Sequence, residues 1–215
     1  MHVSRDVTPR FSPAFRARLA ELFAWRRDVR RFRPDPVAPA LVRRLLAGSA
    51  LAPSVGLSEP WRFVMVESET ARAAARANFE AANAEALSGY SGAQARRYAG
   101  LKLSGMREAP VQVAVFCDEA TRQGAGLGLG TMPEMRRYSV VCAVMQLWLA
   151  TRSEGLGLGW VSILDPERLA RDLDLPQGWR LVAYLCLGWP EEDHDDPELA
   201  HAGWEARHAP EILTR

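Results

Sequence analysis

Lysine is almost missing from this chain: Lys102 is the only one, and every other cation is an arginine. A GC-rich coding sequence produces that bias without a functional cause. Net charge is nearly missing too. Lys and Arg number 27 against 26 Asp and Glu, so no global field draws the chain to nucleic acid or to an anionic membrane. The opening MHVSRDVTPRFSPAF has no apolar core of the kind a signal peptide needs. The longest apolar stretch, Val140 to Ala150, is too short to span a bilayer and is broken by Gln146. These absences predict a cytoplasmic protein. Cys117, Cys142 and Cys186 lie far apart, within apolar runs and without C-x-x-C spacing. They are expected as small buried hydrophobes, not as disulfide partners or metal ligands. There is no G-x-S-x-G nucleophile motif, no internal repeat and no linker.

What is present is an ordinary globular composition, with 48% hydrophobic and 25% charged residues over 215 positions. Ser12-Pro13 is an N-cap and N1 pair that opens a helix running on to Arg27. PDP at 34–36 breaks the chain, and 39–52 reads as a second helix. WRFVMVE (61–67), PVQVAVFCD (110–118), LGWVSIL (158–164) and WRLVAYLCLG (179–188) read as strands. Residues 68–107, rich in Ala, Glu and Arg, give two surface helices parted by ALSGYSGAQ. The helix over 133–152 is apolar nearly all round and should be the central core helix. Asp165-Pro166-Glu167 starts a short helix, and an acidic tail follows residue 188. Four strands interleaved with about seven helical segments predict one α+β domain over 1–215, its sheet covered on both faces.

Four features invite a chemical reading. GLGLG occurs at 126–130 and again at 155–159. The first copy fails the G-x-G-x-x-G test of a dinucleotide site and reads as a mobile surface loop. The second either lets a backbone pass close to a flat ligand or a neighbouring helix, or is a helix C-cap and a tight turn. His194, His201 and His208 are spaced by seven, but Pro197 and Pro210 interrupt any helix, so they read as solvated. The fourth feature is AWRRDVRRFRPDP (24–36), with five arginines in eight positions around Asp28. A nucleic-acid arm fits poorly, because aromatic partners are few and net charge is near zero. A solvated helix end and a phosphate site remain open. In the second, Arg26 or Arg27 and Arg30 share one helical face. Charge counting alone gives Asp28 nothing to do beyond pairing with an arginine.

RRDVRRF (26–32), LAPSVGLSEPWRFV (51–64) and CAVMQLWLATRSEGLGLGWVSIL (142–164) together resemble the nitroreductase-like fold. Within it, Asp28, APSVG (52–56), KLSGMREAP (102–110), GWVSI (159–163) and CLGWP (186–190) resemble the 5,6-dimethylbenzimidazole synthase family over about residues 12–208. General nitroreductases carry a Ser- or Thr-rich opening where this chain has Asp28. The resemblance implies a central mixed sheet of four to five strands flanked by helices. It also implies a helical lid at about 68–107 and a C-terminal tail at 189–215.

The resemblance further implies oxygen-dependent fragmentation of reduced FMN to the benzimidazole that serves as the lower ligand of cobalamin, with release of a four-carbon sugar phosphate. NAD(P)H would act as indirect reductant, through a separate flavin reductase. Arg26, Arg27 and Arg30, with Arg207 of the tail, would hold the FMN phosphate and ribityl chain. Val29 and Ser54 would contact the flavin, Leu103 would belong to the lid, and Gly157, Gly159, Trp160, Val161 and Ser162 would run along the ring edge. Asp28 and Ser162 would be catalytic, with Asp28 kept ionised by its arginines. The fold implies a homodimer with FMN at the interface, and no metal. Two alternatives stay open: an NAD(P)H-dependent nitro- or quinone reductase that recycles FMN, and a non-catalytic flavin- or nucleic-acid-binding protein.

Overall fold

In the computed structural model, which describes residues 10–215, Ser12 accepts the Phe15 amide at 3.1 Å and Pro13 opens helix α1 (Pro13–Trp25). Residues 1–9 of the opening segment lie outside the described residues. The helix stops two residues before the expected Arg27. Three competing bonds end it. The Arg27 Nε donates back to the Ala24 carbonyl at 2.9 Å, the Trp148 indole donates to the Arg27 carbonyl at 3.1 Å, and the Val29 amide donates to Leu158 at 3.1 Å. From Arg26 to Phe32 the chain is extended, so Arg26, Arg27 and Arg30 do not share a helical face.

The remaining elements are α2 (Pro39–Ser49), β1 (Trp61–Met65), α3 (Glu69–Ser88), α4 (Gly92–Ala99), β2 (Val111–Asp118), α5 (Met135–Ser153), β3 (Gly157–Val161), α6 (Pro166–Asp172), β4 (Trp179–Gly188) and α7 (Glu198–His201). The four strands form one sheet in the order β1-β2-β4-β3, and every neighbouring pair is antiparallel. The expected mixed sheet is thereby corrected. Its only parallel element is the single bridge from Asp28 to Leu158, made by the extended arginine segment along β3. Strand β2 is central and buried on both faces from Val111 to Cys117, as a strand covered on both sides must be.

One core lies between the sheet and helices α2 and α5, around Leu45, Val144, Leu147, Leu158 and Leu185. The other lies beneath α3, α6 and the arginine segment, around Phe32, Ala75, Phe116, Val161, Leu169 and Tyr184. Burying each such aliphatic or aromatic side chain stabilises the fold by roughly 1.5–3 kcal/mol. The buried Gln112 is satisfied, donating to the Met106 carbonyl at 2.8 Å and accepting from the Tyr184 hydroxyl at 2.6 Å.

Helix α5 explains why its sequence is apolar all round. Val140, Ala143, Val144, Leu147, Trp148 and Thr151 face the core. Tyr138, Val141, Cys142 and Met145 form a second stripe at i, i+3, i+4 and i+7, and all four are exposed. Only half of this helix is core, and Cys142 is not the buried hydrophobe expected. Cys117 and Cys186 are buried, and burial pushes their thiols up to about 11 and about 12.

The helix-cap reading of the second GLGLG holds, and the close-approach reading is corrected in its partner, which is neither a helix nor a flat ligand. Gly155, with φ +78°, caps α5 as its amide donates to Arg152 at 3.0 Å. Gly157 and Gly159 let a backbone pass close, and that backbone is the chain's own. A Cβ on Gly159 would sit 2.1 Å from the Val29 carbonyl oxygen, and one on Gly157 would sit 2.8 Å from the Val29 side chain. The first GLGLG loop is also not free. Gln123 at its start donates to the Leu57 carbonyl and the Glu59 carboxylate, both at 2.9 Å, tying it to the turn after Ser54.

The expected lid divides into two parts. Helix α3 buries Ala75 and Asn78 and is an integral cover of the second core. Asn78 donates to the Asp165 carbonyl at 2.9 Å and accepts the Asp165 amide at 2.7 Å, which anchors the loop that carries Ser162. Helix α4 meets the tail: Tyr90 stacks on Tyr98 at 4.9 Å, and Trp204 packs edge-on against both.

Asn78→Ala removes two buried hydrogen bonds at once and is expected to cost about 2–3 kcal/mol. For a domain of this size that lowers Tm by roughly 5–10 °C in a thermal melt. Gly159→Ala should cost about 1–3 kcal/mol by overpacking and loosen the arginine segment from β3. Faster amide exchange at Val29 in that variant is the measurement that checks it.

Candidate active site

The arginine segment, the start of β3, the C-terminal half of α5 and the folded-back tail enclose a cavity of about 250 Å³. Its wall includes Arg27, Asp28, Val29, Arg30, Trp148 and Gly157. Small-molecule sites usually measure about 300–1,000 Å³, so this cavity lies just below that range.

Asp28 is fixed from two sides. Its Oδ1 accepts the Trp160 amide at 2.8 Å, and its Oδ2 accepts the Arg30 Nε at 3.0 Å and Nη2 at 2.8 Å. A carboxylate offers about four lone-pair sites, so three donors leave one open on Oδ1. The side chain remains 31% exposed, enough for a small molecule to reach it. An aspartate belongs here because an extended segment on the edge of β3 places one side chain against the next free strand amide.

The arginines take different roles. Arg30 turns inward: besides Asp28, its Nη1 donates to the Lys102 carbonyl at 3.0 Å. Arg31 pairs with Glu198, whose hydrogen bond raises the guanidinium pKa, and Arg152 pairs with Asp193 at 2.5 Å. Arg26 lies over the Trp148 ring, 4.7 Å from its centroid. Among the described residues neither Arg26 nor Arg27 has a carboxylate at salt-bridge distance. Burial lowers the Arg27 pKa, and the neighbouring charges of Arg26 and Arg207 lower it further. Asp195 and Asp196 of the tail act in the opposite direction, so the tail brings charge of both signs toward Arg27. Arg207 itself lines a separate surface depression with Asp196 and Trp204, not the Asp28 cavity.

Of the other residues singled out from sequence, Trp160 packs against Trp148 with ring centroids 6.2 Å apart, and Val161 is buried in the second core. Gly157 and Gly159 are buried under Val29, so on that side they support the arginine segment and not a ligand. Ser162 sits just past the end of β3 and is exposed. Leu103 is half-buried in the segment that Arg30 holds through Lys102.

Ser54 is not brought into this cavity. Its hydroxyl accepts the Glu59 amide at 3.1 Å, and the next residue, Val55, donates to Ser139 near the start of α5. Trp148 in the cavity wall is nine residues further along that helix, about 13 Å away at 1.5 Å per residue.

Sequence reasoning missed Trp148, Arg152 and Asn78, which carry no local signal: each matters through a partner far along the chain. His194, His201 and His208 are exposed, as expected, and the rings of the first two lie 5.8 Å apart in the cavity wall, where the tail folds back across the arginines.

The nitroreductase family model matches residues 23–189. A 5,6-dimethylbenzimidazole synthase of Rhodospirillum rubrum is 54% identical over 207 residues, covering 96% of this chain and 98% of the relative. A protein of the same name from Rhodobacter capsulatus is 49% identical over 91% of this chain and 94% of its own length. Among solved structures, an oxidised iodotyrosine deiodinase bound to FMN and 3-iodo-L-tyrosine superposes with a TM-score of 0.71 at 23% identity, covering 92% of this chain and 97% of that one. The deiodinase likeness speaks for the fold alone. The chain belongs to the nitroreductase family and, within it, to the 5,6-dimethylbenzimidazole synthases.

Proposed function

We propose that this protein cleaves reduced FMN with molecular oxygen, giving 5,6-dimethylbenzimidazole and a four-carbon sugar phosphate. The observation that carries the reading is Asp28: a carboxylate held on a strand amide, with one acceptor site open, beside an unpaired pair of arginines. An enzyme that only recycles FMN needs no carboxylate at that position.

The residues present fit FMN. Arg26 and Arg27, neither of them salt-bridged among the described residues, are suited to the flavin phosphate, with Arg207 of the tail as a further source of positive charge. The neighbouring indoles of Trp148 and Trp160 offer apolar surface beside the Asp28 cavity. Reduced FMN bound there supplies both the electrons and the ring system that oxygen attacks, and is itself consumed.

Asp28 Oδ1 takes a proton from the ribityl chain. The Trp160 amide and the Arg30 guanidinium keep the carboxylate aimed while it does so. The exposed Ser162 hydroxyl donates to, or accepts from, the ring as its charge changes. Segment 101–105 excludes water from above Arg30. NAD(P)H would act as an indirect reductant, through a separate flavin reductase. Unpaired thiols at all three cysteines suit a reducing cytoplasm.

The functional unit in this reading is a homodimer with FMN at its interface. Three observations support it. The stripe Tyr138, Val141, Cys142 and Met145 on α5 is apolar and exposed. The single-chain cavity is small. Ser54 lies at the other end of α5 from Asp28, so one protomer's Ser54 can complete its partner's site.

Incubating the protein with reduced FMN in air should consume flavin and yield a product of the mass of dimethylbenzimidazole. Quantitative recovery of intact FMN would instead establish a recycling reductase. Asp28→Asn is expected to slow product formation by at least about 100-fold. Ser162→Ala should retain flavin binding and slow turnover by roughly tenfold. Met145→Arg places a charge in the apolar stripe, and sedimentation should then report monomers that bind FMN more weakly.

A further inference from the structure

The mechanism above leaves one geometry unexplained, which is that the candidate base and the lid are held by the same side chain. Arg30 sends Nε and Nη2 to the Asp28 carboxylate and Nη1 to the carbonyl of Lys102. Its side chain is only 14% exposed. The lid segment is held from outside at Gly105, which lies flush on Phe32, where a Cβ would stand 2.3 Å from the ring, and at Met106, which is buried in the second core and whose carbonyl accepts the Gln112 amide at 2.8 Å. Within the segment Lys102 Nζ binds Glu108 Oε1 at 2.5 Å. The Gly105 carbonyl in turn accepts the Ala109 amide at 2.9 Å. Residues 102–109 therefore form a clamped loop whose contact with the catalytic carboxylate runs through Arg30.

Three of the five Arg30 N–H groups are thus committed to acceptors in the chain itself. The planar fork matters: two donors meet one carboxylate while a third points away to the carbonyl, a geometry an ammonium cannot reproduce.

We propose that Arg30 is a positioning residue, the latch that makes the orientation of Asp28 depend on closure of the half-buried stretch 101–104, which ends where Gly105 and Met106 are anchored. The proposal rests on the reading of Asp28 as the base. With the loop seated, Arg30 is held at Lys102 and keeps the Asp28 carboxylate in one orientation. With the loop lifted, Arg30 loses its outer anchor and the carboxylate loses its fixed rotamer. Proton abstraction is then confined to the closed, water-excluding state. The alternative role for Arg30 is direct contact with the flavin phosphate, and the two differ in what they predict for a flavin that has no phosphate.

The test uses the full-length protein with Arg30→Lys, which keeps the charge, and Arg30→Met, which removes it. Four quantities are measured: affinity for oxidised FMN and for riboflavin, amide exchange in peptides spanning 101–109, kcat and KM for benzimidazole formation, and the same kcat in an Asp28→Asn background. A latch predicts that Arg30→Lys lowers kcat by about 10–100-fold, the loss of one charge-assisted hydrogen bond or more. It also predicts an FMN-to-riboflavin affinity ratio within about threefold of the parent, since no phosphate contact is lost. Exchange over 101–109 should rise about tenfold or more in both variants as the loop lifts. With Asp28 already neutralised, the same substitution should cost less than about threefold, because the two residues act as a unit.

A fall of tenfold or more in the FMN-to-riboflavin ratio would make Arg30 a phosphate ligand and overturn the proposal. Unchanged exchange over 101–109 would overturn it equally, as would a full and additive kcat loss in the Asp28→Asn background. The affinity ratio and the exchange do not depend on turnover. If no benzimidazole forms at all, the functional reading fails while those two measurements still decide whether Arg30 latches the loop.

Discussion

The backbone at Asp28 and Val29 lies along the outer edge of β3, with residues 31–33 bonded to 189–191 beyond the end of β4, and the candidate site depends on that contact. Two bonds define it, Val29 N–H to Leu158 and Trp160 N–H to Asp28, with two glycines giving the clearance. An edge strand offers unpaired amides and carbonyls that must find partners. Here the partner is a segment so rich in arginine that it would otherwise be expected at the surface. Docking it turns Arg30 inward, leaves Arg26 and Arg27 outward, and puts one carboxylate between them.

The same contact links the two halves of the molecule. On one side Arg27 and Arg26 meet Trp148, so the site is built upon the face of α5 that belongs to the first core. On the other side Phe32 is almost fully buried in the second core and supports the loop around Gly105. The tail closes the third side through Arg31–Glu198, Arg152–Asp193 and the packing of Trp204 on α4. Four carboxylates of that tail, Glu192, Asp193, Asp196 and Glu198, line the cavity beside the arginines. The wall around the arginines is therefore partly neutralised.

Much of the architecture was legible in the sequence because it followed from local rules. Ser12 and Pro13 cap a helix, Asp165 and Pro166 start another, and the apolar runs at 111 and 179 became the two central strands. The errors have one cause, which is that periodicity cannot say which partner a surface will meet. Helical spacing continued through Arg27, but β3 and Trp148 claimed the backbone first. The apolar stripe of α5 read as core on every side, although the chain covers only half of it. Cys142 went astray with that stripe. The mixed sheet, inherited from the resemblance, gave way to antiparallel pairing because each connection between neighbouring strands reverses direction.

Sequence by itself determined the element types, the α+β class and the residues worth watching, because capping, alternation and charge clustering are properties of short stretches. It also singled out Asp28, since one acid among five arginines is visible without any structure. Only the tertiary structure decided which arginine serves it. Arg26, Arg27, Arg30 and Arg31 are equivalent on paper, and they diverge because each meets a different partner: the Trp148 ring, the Ala24 carbonyl, Asp28 and Glu198. It likewise decided that the second GLGLG clears a path for the chain's own Val29. Close approach is a relation between segments more than a hundred residues apart, and neither segment encodes it alone.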